Sequence, residues 1–409
     1  MTRVVPLSER YARPDWVRRM NAMGESVLGA RHLVPLDAET MVERARAATG
    51  LDDFGDWDGD WRARLENLVG ALEETGELNV VGRILTRQEI QRALVARLLL
   101  AQRRALAPAV AQERIEAPIV IAGPARSGTS ILHELLWLDP NARCPLAYEA
   151  LYPVAPDAFG SAEEQRRIAE CEQELWADVQ PEFATIHELA AHLPLECIAL
   201  QQPSFGGFHW AMIADIPGFA LDFPAAMAFH RAALQALQHG APKRTWVLKT
   251  PVYLMMLDLL FETYPDAQVV VTHRDPAKTA PSGLSTLATV RWLRSDAVDL
   301  EKMDGYGSGL LLLALLARVQ GGTLPGPCYD VLFSDLMRDP VAAIERLYDA
   351  MGRPFVPEHA DAIRSYLASK PKGKHGAHRY SAEEWGVDPA RVREQLAPYI
   401  EHYGIPIEK

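Results

Sequence analysis

The chain predicts an α/β fold, a parallel sheet flanked by helices, with a helical region ahead of it. Three observations predict it. Pro118 to Leu138 reads PIVIAGPARSGTSILHELLWL: a short apolar β-branched run, a turn opened by Gly123-Pro124, then apolar residues near helical spacing. Thr245–Leu248, Gln268–Thr272 and Cys328–Phe333 are three further runs of strand character, and helical sequence separates them. Alternation of this kind implies a parallel sheet covered on both faces, with ligands at the carboxyl ends of its strands.

Residues 1–115 read as mainly helical and are expected to pack on an α/β domain spanning 116–409. Thr86-Arg87-Gln88-Glu89 has the capping-box pattern, and Ile90, Leu94 and Leu98 then mark one face of a helix running towards Arg104. Gly50 and Gly76 fall where helices end. Asp53-Phe54-Gly55 matches the metal-binding triplet of kinases but precedes every other candidate motif, the wrong order for that enzyme class. Further on, Ser161-Ala162-Glu163-Glu164 opens a capped helix, and His187 to Leu200 has helical periodicity interrupted by Pro194. Phe205, Phe208, Trp210 and Phe219 are spaced too irregularly for one helix face; an acceptor-binding loop and a buried connection fit equally.

Composition is that of an ordinary globular chain: 409 residues, 48% hydrophobic and 23% charged. A formal charge of −12 argues against nucleic acid or an acidic membrane as partner, so any anion site must be locally basic. The four cysteines, Cys144, Cys171, Cys197 and Cys328, lack metal-ligand or disulfide spacing and read as buried thiols. No apolar leader follows Met1, and Leu310–Leu316 is too short to cross a bilayer, so a cytoplasmic protein without a transmembrane segment is expected.

The turn after the first strand carries the clearest chemistry. Four residues separate Gly123 from Gly128, and Ser130 follows where a nucleotide-binding P-loop places Ser or Thr. A helix opening at Thr129 or Ser130 would aim its first N–H groups into the turn, making an anion site. The triphosphate motif also needs Lys directly after the second Gly; Thr129 stands there, and the positive charge sits earlier, at Arg126. An ordinary kinase or ATPase is therefore disfavoured. His273-Arg274-Asp275 resembles the kinase catalytic loop, but the asparagine needed five residues later is Ala280.

Pro124-Ala125-Arg126-Ser127-Gly128-Thr129-Ser130 resembles the 5′-phosphosulfate loop of the sulfotransferases that use 3′-phosphoadenosine 5′-phosphosulfate (PAPS), in the form found in bacterial and protein-tyrosine members. Ala125 interrupts that form. Lys249-Thr250-Pro251, and Phe261 to Asp275 (FETYPDAQVVVTHRD), are similar to the next two elements of the same families. The resemblance covers roughly Pro118 onward. It implies a P-loop-like sheet and an enzyme that moves a sulfuryl group from PAPS to a hydroxyl or amine without a metal. The acceptor is left as a small molecule, lipid or carbohydrate. It further implies that Arg126, Ser127, Gly128, Thr129 and Ser130 hold the phosphosulfate. Arg274 and Ser282 would then hold the 3′-phosphate, since Arg supplies a bidentate clamp and Ser a further donor. Lys372 and Gly373, in the one dense basic stretch (Lys370–Tyr380), would close over that phosphate, and Phe333 would stack near the adenine without a hydroxyl to offer.

In-line transfer needs cations for the leaving phosphate and a base for the acceptor. Arg126 and Lys249 are the expected cations. Glu149 is the first candidate for the base, because Tyr148-Glu149 resembles the family's acceptor-facing glutamate with two residues inserted before it; His187 and Glu196 follow. A phosphotransferase with a divergent P-loop, and a nucleotide-binding module without activity, stand as alternatives. Oligomeric state is not signalled.

Overall fold

The computed structural model describes residues 5–155, 160–186, 188–303, 307–369 and 381–408. Three residues implicated above, His187, Lys372 and Gly373, lie outside them.

Among the described residues, five parallel strands form the sheet: β1 (Ile119–Ala122), β2 (Ala142–Arg143), β3 (Thr245–Lys249), β4 (Gln268–His273) and β5 (Cys328–Leu332), in the order β2-β3-β1-β4-β5. The first strand is central, with Val120 level with Leu248 on one side and Val269 on the other. Its four residues are all buried because both faces are covered. Val120 and Ala122 join one core layer, and Ile119 and Ile121 the other. Strand alternation sends neighbouring side chains to opposite layers, so a strand covered on both sides reads as one unbroken apolar run. Four strands lie where the sequence predicts them. The additional one, β2, has two residues and one is Arg143, too little for any periodic signal.

Two expected helices differ. The helix expected to start at Thr86 runs from Val80 to Leu106, capped by Asn79, whose side chain accepts from Gly82 N at 2.8 Å. Thr86 and Glu89 are therefore buried inside it, and the capping-box pattern there is coincidental. This long helix contributes Leu100 to the sheet's core and Ile90, Leu94 and Leu98 to a second core of preceding helices. At Gly82 it comes so near residue 294 that a Cβ would sit 2.0 Å from the Arg294 carbonyl oxygen.

The second difference lies in the stretch 187–200, whose helical periodicity is interrupted by Pro194: among its described residues the only helical turn is the start of Ile198–Gln201. Pro194 cannot donate to a helix, and its neighbours bond elsewhere: Leu195 N to Pro145 O at 2.9 Å, and Cys197 N to Lys249 O at 2.8 Å. Of the aromatics beyond, Phe205 and Trp210 are fully buried in the second core, so that part is a buried connection. Cys144 and Cys197 are buried thiols, whereas Cys171 is exposed and Cys328 partly so. No helix among the described residues is long and apolar enough to cross a membrane.

Candidate active site

Residues 123–128 leave β1 and turn into the helix Thr129–Trp137. Gly123 adopts φ 147°, and a Cβ there would lie 2.3 Å from Thr272 Oγ1 on the adjacent strand, so only glycine fits. Ser127 Oγ donates to Pro124 O at 2.7 Å and lies 2.5 Å from Thr272 Oγ1. A hydroxyl has one proton, so Thr272 donates in the second bond. The Ser127 hydroxyl is thus used inside the loop, stapling it to β4, and its backbone N–H also donates to Pro124 O at 3.2 Å, so both of its donors are spent within the loop instead of on a ligand. Gly128, at φ 93°, precedes the helix and supplies no side-chain cap, which leaves the first helical N–H groups open to an oxyanion.

The remaining polar groups stand at the carboxyl ends of neighbouring strands. Lys249 ends β3; its ammonium is almost completely buried, 3.3 Å from Ser130 Oγ and in a close ion pair with Glu196 Oε1. The unwound stretch around Pro194 places that glutamate there. Arg126, at φ 68°, donates from Nη1 to Ile186 O at 3.0 Å. Arg274 directly follows β4, and its guanidinium lies 4.1 Å over the Phe333 ring, which directly follows β5. Phe333 also packs on the loop, since a Cβ at Gly128 would meet it at 2.9 Å. Ser282, in the helix Pro276–Trp292, is fully buried, and its Oγ has no hydrogen-bond partner among the described residues. Burying an unpaired hydroxyl is costly unless a ligand completes it.

Glu149 is not in this group. Its Oε1 accepts from Arg143 Nη2 at 3.0 Å, and its Oε2 accepts from Leu146 N at 3.1 Å, capping the helix Ala147–Leu151. It borders a cavity with Arg244, the residue before β3, and so faces the amino edge of the sheet, opposite the loop. Tyr148-Glu149 is the start of a helix, and a glutamate at the third helical position is the residue that reaches back to cap it.

An apolar cavity of about 350 Å³ opens beside Glu196. Leu85, Trp176, Phe183, Met212 and Val290 wall it, from segments far apart in sequence. Its polar lining is a network in which Glu172 takes bonds from Arg92, Gln88 and Tyr152, while Arg92 Nη2 reaches Gln202 Oε1 at 2.9 Å. Beside it Glu89 accepts from His209 at 3.0 Å and Arg294 at 2.6 Å. Burial alone would raise the Glu89 pKa, but Arg294 and His209 hold it down to about 2. Burial in turn lowers His209 against the pull of Glu89. Leu85, Gln88, Glu89 and Arg92 belong to the long helix, where sequence alone showed no site chemistry, because the burial of its polar residues Arg83, Glu89 and Arg97 is visible only in the structure.

Comparison with known proteins bears on this arrangement. Residues 118–357, more than half of the chain, match the family model described as Sulfotransferase family. The omega-hydroxy-beta-dihydromenaquinone-9 sulfotransferases Stf3 of Mycobacterium bovis and Mycobacterium tuberculosis are 25% identical over 319 residues, covering 70% of this chain and 75% of theirs. The crystal structure of sulfotransferase STF1 from M. tuberculosis superposes with a TM-score of 0.70 at 26% identity, covering 89% of this chain and 99% of that one. STF9 from Mycobacterium avium shares the fold, with a TM-score of 0.74 at 22% identity over 91% of this chain and 97% of its own. An open-ended glycine loop, a buried lysine at the next strand end and these likenesses agree: the chain belongs to the sulfotransferase family and is a sulfotransferase enzyme with the P-loop-like fold.

Proposed function

We propose that the protein moves a sulfuryl group from PAPS to the hydroxyl of an apolar, lipid-like acceptor that enters the cavity beside Glu196. One observation carries this reading: the Glu196 carboxylate both lines the apolar cavity and pairs with Lys249, whose ammonium reaches Ser130 at the start of the loop helix. On this reading Glu196 serves as the base, Lys249 as the cation and the turn as the anion site, in sequence. The names of the Stf3 relatives, which refer to an omega-hydroxy lipid quinone, point the same way.

The residues present fit the donor. The open helix N-terminus after Gly128, with Thr129 and Ser130, suits the phosphosulfate, and Arg126 in the loop adds positive charge. The orphaned Ser282 hydroxyl and the Arg274 guanidinium stacked on Phe333 suit the terminal phosphate. Lys372 and Gly373 keep their sequence-based assignment to the same phosphate. When bound, PAPS supplies the activated sulfur, whose bond to the phosphate oxygen breaks as the acceptor oxygen attacks. The Glu196 carboxylate, paired with Lys249, takes the hydroxyl proton in that step. Once the proton reaches Glu196, the ion pair loses its negative partner and the Lys249 ammonium is left to stabilise charge growing towards Ser130. We assign the base to Glu196 in place of Glu149, because a base must lie within hydrogen-bond reach of its proton and Glu149 faces the other edge of the sheet. The cavity walls also narrow the acceptor from the carbohydrate alternative towards an apolar alcohol.

Mass spectrometry with PAPS and a series of long-chain primary alcohols tests the activity. Glu196→Gln should bind adenosine 3′,5′-bisphosphate as the parent does while turnover falls by ~10²–10⁴. Parent-like turnover in that variant, with a collapse in His187→Ala, would move the base to the histidine.

A further inference from the structure

The guanidinium of Arg274 already holds an oxyanion supplied by the chain itself. Its Nε donates to Glu408 Oε1 at 2.7 Å and its Nη2 to Glu408 Oε2 at 2.8 Å. This is the two-bond, side-on arrangement by which arginine takes a phosphate. Nη1 meanwhile donates to the carbonyl of Arg126 at 2.9 Å, tying the clamp to the loop. The Glu408 side chain is about one-third exposed, and the pair lies at the edge of the site rather than sealed within it.

The backbone of Glu408 is secured without the help of that carboxylate. Its N–H donates to Asp275 Oδ2 at 2.9 Å, and its carbonyl accepts from Arg393 Nη2 at 2.7 Å. Arg393 is in turn held by Asp275 at 2.6 Å, and Ile405, three residues earlier, is buried against Leu312, Leu316 and Tyr399. The side chain can therefore swing off Arg274 while the segment stays in place. A tethered group of this kind acts at an effective concentration in about the millimolar range or above. A phosphate monoester at neutral pH has a charge of about −1.5 to −2 and three acceptor oxygens, against one negative charge and two oxygens for a carboxylate.

We propose that Glu408 is a resident competitor at the Arg274 clamp and sets its selectivity: a phosphate monoester displaces it, whereas singly charged anions and nucleotides without a 3′-phosphate do not. The inference rests on the reading of Arg274 as the clamp for the terminal phosphate of the donor. It adds that donor binding is an exchange of one anion for another, with Glu408 released as the phosphate arrives. The chain then never exposes an uncompensated arginine beside its own anion loop.

Calorimetric titration of the full chain with adenosine 3′,5′-bisphosphate and with adenosine 5′-monophosphate tests this. Glu408→Gln removes the charge and keeps the shape, and should tighten the bisphosphate about tenfold while leaving the monophosphate unchanged. Glu408→Ala should do the same, since the contacts of Ile405 and Arg393 are untouched. In an Arg274→Ala background the substitution should have no effect, because the competed group is gone. Bisphosphate affinity that is unchanged or weaker in both Glu408 variants, in a parent that prefers bisphosphate to monophosphate, overturns the competitor and leaves the clamp standing. A parent that does not distinguish the two nucleotides overturns the clamp and the competitor together.

Discussion

The carboxyl edge of the sheet and the wall of the apolar cavity are built in opposite ways. At the sheet edge each candidate group ends or directly follows its own strand: the loop after β1, Lys249 closing β3, Arg274 after β4 and Phe333 after β5. Parallel strands in register bring these positions together with no further instruction. In the cavity, Leu85, Trp176, Met212 and Val290 come from separate helices, and nothing local to any of them records that they meet. The first region is set by strand order, the second by how helices pack on one another. Donor chemistry should therefore respond sharply to single polar residues, and acceptor choice to volume.

Four substitutions or conditions test that contrast. The largest effect is expected at the junction of the two regions: Lys249→Met should cut turnover by ~10²–10³ in a sulfate-ester assay, as loss of one charge-stabilising donor does elsewhere. Acceptor KM should move little, because the ammonium does not line the cavity. Arg274→Ala comes next, weakening adenosine 3′,5′-bisphosphate by roughly ten- to a hundredfold by calorimetry, since a charge-assisted contact contributes about 1.5–3 kcal/mol. Unchanged affinity in a folded variant would contradict the sharp polar dependence at the sheet edge. Val290→Trp should act oppositely, raising KM for long-chain alcohols by about tenfold through lost volume while bisphosphate affinity stays as in the parent. An equal loss of both would show that the regions are not separable.

The smallest effect at working pH concerns the buried network of the cavity wall. Glu89 is held near pKa 2, below its ordinary value of 4.5, so the folded state binds its proton less readily than the unfolded chain does. Its contribution to stability is full above about pH 4.5 and is lost as pH falls towards about 2. Denaturant midpoints measured between pH 6 and pH 3 should fall across that window, and Glu89→Gln should flatten the slope. A slope unchanged by the substitution would place the acid sensitivity elsewhere.

Strand-and-loop features were legible because their causes are local. Gly123, Gly128 and the apolar run of β1 declare a turn and a doubly covered strand from sequence alone. Lys249 and Arg274 were legible for the same reason, as strand-end cations in family order. Glu196 was harder: its segment has helical periodicity, yet Pro194 and two bonds to Pro145 and Lys249 unwind it, and that unwinding puts the carboxylate on the ammonium. Glu149 shows the converse, a residue in the right place by motif whose own helix start claims its carboxylate. Thr86 to Glu89 had the pattern of a helix start, but Asn79 begins the helix two turns earlier and buries both residues.

Sequence by itself determined the α/β class, four of the five strands described, the glycine turn after β1 and the strand-end positions of Lys249 and Arg274, because hydrophobic period and turn chemistry act over a few residues. Tertiary structure alone decided which carboxylate faces Lys249, which helices enclose the apolar cavity, and that Glu408 comes to rest on Arg274. Those outcomes depend on contacts between residues 53, 134 and some 200 positions apart. Such contacts form when elements pack to bury apolar area and to satisfy buried charge, and neither requirement leaves a mark on the local spacing of side chains.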